Sequence, residues 1–165
     1  MKFEYCPKCG RKLELFNCWD EGYVPYCKVD DTLYFDTPKP CIVVGVVKKD
    51  KILLLKQSYI YKHSKVLISG YVDQNERAED TVHREVLEEA GITIKDVTYL
   101  GSDFVKDKDL FMLTFMANYE SGEINKSDEV EGIGWVDLKD ALSQMEEDII
   151  GKKVVKKIID IRNGK

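Results

Sequence analysis

Between Gly70 and Ile92 the chain crowds three glutamates onto one side of a short segment, and this restricts it more than any other feature. In Arg84-Glu85-Val86-Leu87-Glu88-Glu89, Glu85 lies three residues before Glu88 and four before Glu89. On a helix such neighbours share a side, where like charges repel and weaken the helix. Val82, Val86 and Ala90 recur at a spacing of four and stack as an apolar stripe. A helix is therefore predicted over Ala78 to Ala90, closed by Gly91 in a left-handed conformation. Three glutamates alone also suit a plain solvated face. A divalent cation, however, turns their repulsion into a binding site, since Mg²⁺ takes a few carboxylates together with phosphate oxygens. The preceding loop fits that use. Gly70 permits close backbone approach, and Glu76 stands just ahead of the helix, after Asp73-Gln74-Asn75.

Around this segment the chain divides in two. Residues 1–35 hold Cys6, Cys9, Cys18 and Cys27, four of the five cysteines. Asp36 to Pro40 reads as a connector, because Pro38 and Pro40 fix φ and restrict the residues before them. The boundary is placed there, giving a small head over 1–35 and a main domain over 36–165. From Cys41 to Val47 runs a β-branched apolar stretch, and Ile52 to Leu55 follows after a polar turn, as in a hairpin of buried strands. Tyr59 to Lys65 is predicted as a loop. Further strands are expected over Val66 to Ile68, Thr93 to Gly101, Leu110 to Tyr119 and Ile133 to Val136. Asp137 is expected to cap a helix over Leu138 to Glu146, and a basic amphipathic helix runs from Ile150 towards Arg162. The order is that of an α+β domain with helices packed on a mixed sheet.

The segment resembles the signature of the Nudix hydrolases. Gly70 is followed, after five residues, by Glu76; seven more lead to Arg84-Glu85-Val86, then Leu87, Glu88-Glu89, Ala90, Gly91 and Ile92. Every position that the signature requires is present, both aliphatic ones included. The resemblance implies an α/β/α sandwich with a mixed sheet, and a hydrolase dependent on Mg²⁺ or Mn²⁺. It implies that Glu85, Glu88 and Glu89 bind the metal with the Gly70 carbonyl, and that Glu85 or Glu89 helps to activate water. Arg84 and Glu76 match positions that brace the loop and helix. A further glutamate from a later loop is implied, for which Glu129 is the choice and Glu131 the reserve. Metal-assisted attack of water on one phosphorus then splits a P–O–P link.

The head reads as a metal ribbon. Cys6-Pro7-Lys8-Cys9-Gly10 is a zinc knuckle, and structural zinc wants four ligands. Cys27 supplies a third, leaving Asp30 or Cys18 as the fourth. A metal-free ribbon with cysteines as small hydrophobes is the plainer alternative. Ribbon, strand-rich linker and glutamate signature in that order resemble the NADH pyrophosphatase subgroup. That subgroup carries a Ser-Gln-Pro-Trp-Pro-Phe-Pro stretch after the signature, where this chain has Gly101 to Asp109 with neither proline nor tryptophan.

Other residues carry weaker signals. Tyr59 and Tyr61, with His63, precede the signature and suit base stacking or a surface role equally. His83, Cys41 and Trp135 read as structural. The net charge of -5, with both signs interspersed, gives no basic face, so no nucleic-acid partner is expected. No apolar run spans a membrane and no secretory segment opens the chain, so a cytoplasmic location is expected. The partner expected is a nucleotide, the substrate a nucleoside diphosphate linked to another group: NAD(H), ADP-ribose, or a similar dinucleotide or nucleotide sugar. The alternatives are a catalytically silent module that senses a nucleotide or RNA end, and a sanitiser of oxidised nucleoside triphosphates. The resemblance also makes a homodimer an expectation.

Overall fold

The computed structural model describes residues 3–57, 59 and 61–164. Met1, Lys2, Ser58, Ile60 and Lys165 lie outside the described residues, so the N-terminal reading and the Tyr59 to Lys65 loop are covered only in part. The chain falls into two compact units, Met1–Pro38 and Lys39–Lys165. The first β-strand of the second unit begins at Lys39 and takes in Pro40, two residues assigned to the connector from sequence.

The first unit is a three-stranded antiparallel ribbon of β1 (Glu14–Asn17), β2 (Tyr23–Cys27) and β3 (Thr32–Leu33). Its interior is small. Cys6, Cys18, Val24 and Cys27 are its buried apolar side chains among the described residues. A unit of this size cannot bury enough apolar surface to be comfortably stable by itself, which is where a metal staple has its use.

The second unit is built on a seven-stranded mixed sheet. Its strands are β4 (Lys39–Lys48), β5 (Lys51–Lys56), β6 (Lys65–Val66), β7 (Ile68–Tyr71), β8 (Thr93–Val105), β9 (Leu110–Ser121) and β10 (Gly132–Asp137). The main order is β10-β5-β4-β9-β8, with β6 paired to β5 and β7 to β4. Only β4 and β9 run parallel among these pairs. Helix α1 (Ala78–Ala90) covers one face; the short α2 (Leu138–Ala141) and α3 (Ile149–Arg162) cover the other.

Alternation along the central strands assigns the two cores. Ile42, Val44, Val46, Leu53 and Leu55 meet Val82, Val86 and Ala90 of α1. Cys41, Val43, Val47, Ile52 and Leu54 meet Val154, Val155 and Ile158 of α3. Strands buried on both faces lose the polar half of the alternation, so β4 and β5 read as continuous apolar runs. Each such side chain contributes about 1.5–3 kcal/mol on burial. Gly45 faces α3, and a Cβ there would overlap Ile158, so the glycine sets how closely helix and sheet approach.

Several elements differ from the sequence expectation. The strand expected over Val66 to Ile68 is two strands broken at Leu67, and β7 runs on through Gly70. Strands β8 and β9 are longer than expected because their ends pair with each other, Phe104 opposite Phe111 and Val105 opposite Leu110. The helix expected over Leu138 to Glu146 ends at Ala141 and passes into a 3₁₀ turn over Leu142–Gln144. Asp137 gives it no side-chain cap and faces Lys51 instead, 3.8 Å away. Met145 leaves the helical path to become fully buried.

Candidate active site and ribbon metal site

Strand β7 and helix α1 bring Gly70 and Glu85 together. A Cβ on residue 70 would overlap the Glu85 carboxylate, so only glycine lets the strand pass beneath it. Between them the loop is braced by Glu76, whose backbone N–H donates to Asp73 O at 3.2 Å while its Oε2 accepts from Asp73 N at 3.2 Å.

Arg84 is the hub. Its Nε and Nη2 donate to the two oxygens of Glu76 at 2.9 and 3.0 Å, a bidentate pair. Nη1 donates to Glu85 at 2.7 Å and Glu88 at 3.0 Å, and Nη2 also reaches Tyr71 O at 3.0 Å. Hydrogen bonds from Arg84, then from Thr81, hold the Glu76 carboxyl down to about 2. The same hub binds loop, strand and acidic face into one body.

Glu89 stands apart from that hub. It is buried, and burial pushes its carboxyl up to about 7, opposed by Gln57 and helped by the charges of Glu85 and Glu129. Glu85 is raised for the same first reason, burial, with Arg84 opposing. Oε2 of Glu89 is buried without a hydrogen-bond partner among the described residues. Buried polar atoms are normally paired. An orphaned carboxylate oxygen beside the half-buried Glu85, over a glycine that admits no side chain, fits a hard divalent cation.

The C-terminus of α1 is closed by the segment that carries Glu129. Gly91 is left-handed (φ 69°), and its N–H returns to Leu87 O at 2.9 Å. Asn125 N donates to Ala90 O at 2.9 Å and Ser127 N to Glu89 O at 3.3 Å, satisfying carbonyls that a helix end leaves free. Lys126 Nζ reaches Val130 O, and Val130 is fully buried, so the segment is pinned at both ends. Glu129 thereby lines one cavity with Gly70, Arg84, Glu85 and Glu89. Glu131, the reserve, lies opposite Lys56 at 3.7 Å and is not part of that lining. Glu88 is exposed and also lies off the lining.

The cavity has a volume of about 580 Å³. Tyr59 and Tyr61 both line it, with Leu67, Met112 and Ile150 as apolar wall and Lys108 as a further cation. Asp148, which caps α3 by accepting from Gly151 N at 2.8 Å, lines it too. Neither Asp148 nor Gln57 was singled out from sequence. An Asp directly before an amphipathic helix, at the end of Glu146-Glu147-Asp148, is a signal for the first; no sequence spacing points to the second. His83 is exposed, and Trp135 packs edge-on against Tyr119. A wider depression lies around Asp50, Asp137 and Arg162 but contains none of the glutamates discussed.

In the ribbon, the sulfurs of Cys6, Cys9 and Cys27 and a carboxylate oxygen of Asp30 lie within 4.8 Å of one another. Asp30 Oδ2 is 2.9 Å from Cys6 Sγ and 3.2 Å from Cys27 Sγ, and the Cys9 and Cys27 sulfurs are 3.6 Å apart. Ligands around tetrahedral zinc sit roughly 3–4 Å from each other, given bonds of about 2.0–2.3 Å. The donor set therefore fits zinc. Hydrogen bonds from the three thiols hold the Asp30 carboxyl below its ordinary range. Cys18 is buried but does not belong to the group, so of the two readings for the fourth position it is Asp30 that meets the other three.

Sheet, helix and glutamate-lined cavity together are those of a Nudix fold. The NUDIX domain model matches residues 38–158, and the chain belongs to the Nudix family. It is 34% identical over 137 residues to the NAD-capped RNA hydrolase NudC of Vibrio parahaemolyticus, covering 82% of this chain and 52% of that protein. To the protein of the same name from Pseudomonas syringae pv. syringae it is 33% identical over 137 residues, 82% of this chain and 48% of that one. The chain thus spans about half the length of these relatives. Among solved structures, a NUDIX hydrolase from Nitrosomonas europaea superposes with a TM-score of 0.75 at 18% identity, covering 99% of this chain and 94% of that one. At that identity the likeness is one of fold. Among the described residues no helix is long and apolar enough to cross a membrane.

Proposed function

We propose that this chain is a Mg²⁺- or Mn²⁺-dependent pyrophosphohydrolase acting on a nucleoside diphosphate derivative, of which NAD(H) and ADP-ribose are the leading candidates. The observation that carries this reading is the convergence of Glu85, Glu89 and Glu129 on one cavity walled by Tyr59 and Tyr61. The cation would be held by Glu85, Glu88 and Glu89 with the Gly70 carbonyl. Bound there, it supplies positive charge to the phosphoryl oxygens and lowers the pKa of a coordinated water. Glu85 or Glu89 would then accept a proton from that water, and hydrogen bonds from Arg84 keep Glu85 and Glu88 in register. The tyrosines offer flat faces to a base. The site would discriminate by what fills the apolar wall rather than by the acidic half, which all pyrophosphates share.

The deciding experiment is a Mg²⁺-supported screen of NADH, ADP-ribose, nucleotide sugars, diadenosine polyphosphates and oxidised deoxynucleoside triphosphates. NAD-capped RNA joins the panel because of the relatives' names. Cleavage at the P–O–P link is expected, with Glu85→Gln reduced at least a hundred-fold, in line with the loss of transition-state charge stabilisation. No cleavage of any compound, or an unimpaired Glu85→Gln, would sink the proposal.

In the ribbon we infer a structural zinc held by Cys6, Cys9, Cys27 and Asp30. Metal analysis of the purified protein is expected to find one zinc per chain, lost in Cys6→Ser and kept in Cys18→Ser. Zinc retained at full stoichiometry in Cys6→Ser overturns this.

A further inference from the structure

Arg84 touches Glu76, Glu85 and Glu88 but not Glu89. The partner of Glu89 comes from across the sheet, 32 residues away in sequence: Gln57 Nε2 donates to Glu89 Oε1 at 3.2 Å. Both residues are buried, Gln57 at 2% exposure and Glu89 at 8%. Gln57 immediately follows β5, which is paired with β10 on one side and β4 on the other. Its own carbonyl accepts from Tyr61 N at 3.1 Å. The amide is therefore presented from a backbone with little freedom. The result is asymmetric: one oxygen of Glu89 is engaged and the other is bare.

We propose that Gln57 is a positioning residue, whose amide pins Oε1 of Glu89 so that Oε2 is turned to the divalent cation. This rests on the metal-dependent reading above. The choice of a neutral donor has a physical reason. A lysine or arginine at this position would fix the carboxylate equally well but cancel its charge, and with it the pull on a cation. An amide orients the oxygen and leaves the full negative charge to the metal. Arg84 already donates hydrogen bonds to three carboxylates, and a second cation directly beside Glu89 would remove more of the charge that draws a metal. Partners that orient metal ligands in this way typically contribute ten- to a hundred-fold in affinity or rate.

The test uses the whole chain and Mn²⁺ as the probe, followed by electron paramagnetic resonance alongside turnover. Gln57→Met keeps the length and fills the space but deletes the donor; Gln57→His keeps a ring N–H. Glu85→Gln reports any Mn²⁺ held elsewhere. Gln57→Met is expected to weaken Mn²⁺ binding and lower kcat about ten- to a hundred-fold, with KM for the nucleotide within about three-fold. Gln57→His is expected to retain most of both. In a Glu89→Gln background, Gln57→Met is expected to cause no further loss of Mn²⁺ affinity, an outcome that a merely structural role does not produce. Wild-type Mn²⁺ binding in Gln57→Met, or an equal loss in the Glu89→Gln background, overturns the proposal. If the Mn²⁺ pattern holds while no pyrophosphate is cleaved, the activity reading fails and the role of Gln57 stands. A wild-type chain that binds no Mn²⁺ overturns both.

Discussion

At the level of single residues, the candidate site depends on what is absent as much as on what is charged. Gly70 has no Cβ, and the space is filled by the Glu85 carboxylate. Gly70→Ala is expected to leave the fold intact, since the overlap is with a movable side chain, but to push Glu85 off its place. Misplacement of about 1 Å near reacting groups costs on the order of a hundred-fold in rate. Turnover of the variant against its melting temperature checks this; unchanged turnover would mean that Glu85 does not need its present position. Arg84 is equally exacting. Its fork engages Glu76 with two donors while a third serves Glu85 and Glu88, which the ammonium group of Arg84→Lys cannot reproduce. We expect Arg84→Lys to lose about ten- to a hundred-fold in kcat, read by steady-state kinetics with saturating Mg²⁺.

Among the elements, α1 is held at its C-terminal end. Its C-terminal carbonyls are capped by Asn125 and Ser127, so the loop with Glu129 and the helix with Glu89 are ordered together. Gly91 is required twice, by its φ of 69° and by Asn125, whose Cβ lies 2.9 Å from where a side chain would begin. Gly91→Ala is expected to lose about 1–2 kcal/mol from the left-handed backbone alone, measured by urea unfolding. The start of α3 depends on Asp148, where Asp148→Ala is expected to lose about 1 kcal/mol and Asp148→Asn much less, because asparagine also caps. Equal losses in the two variants would contradict the cap.

For the whole molecule, two of the displaced carboxyls, Glu76 and Glu89, make stability depend on pH in opposite ways. Glu76 is held at about 2, below its ordinary 4.5. Its contribution is fully present above 4.5 and is lost as pH falls towards 2. Glu89 is raised to about 7, so between 4.5 and 7 the folded chain holds a proton that the unfolded chain has released. Stability from this group therefore falls as pH rises through that window. A cation bound at Glu89 offsets the penalty, so Mg²⁺ is expected to raise the melting temperature more at pH 8 than at pH 5.5. An equal rise at both values would show that the cation does not bind through Glu89.

The sequence by itself determined the elements whose signals are local. The helix over Ala78 to Ala90 follows from a spacing of four in Val82, Val86 and Ala90, and the buried strands β4 and β5 from unbroken apolar runs. The spacing of Gly70, Glu76, Arg84 and Glu85 to Glu89 pointed to the family, because those residues lie within one short strand, loop and helix. What tertiary structure alone decided involves residues far apart in the chain. The choice of Asp30 over Cys18 depends on where the β2 to β3 turn brings a side chain against Cys6, 24 residues earlier. The stop of α2 at Ala141 goes with a turn that carries Met145 into the core, a packing no local pattern announces. Gln57 reaches Glu89 only because β5 ends over the α1 face of the sheet. Periodicity reports which face a residue takes. Which distant donor meets a given carboxylate is settled by the packing of strands and helices that no local pattern encodes.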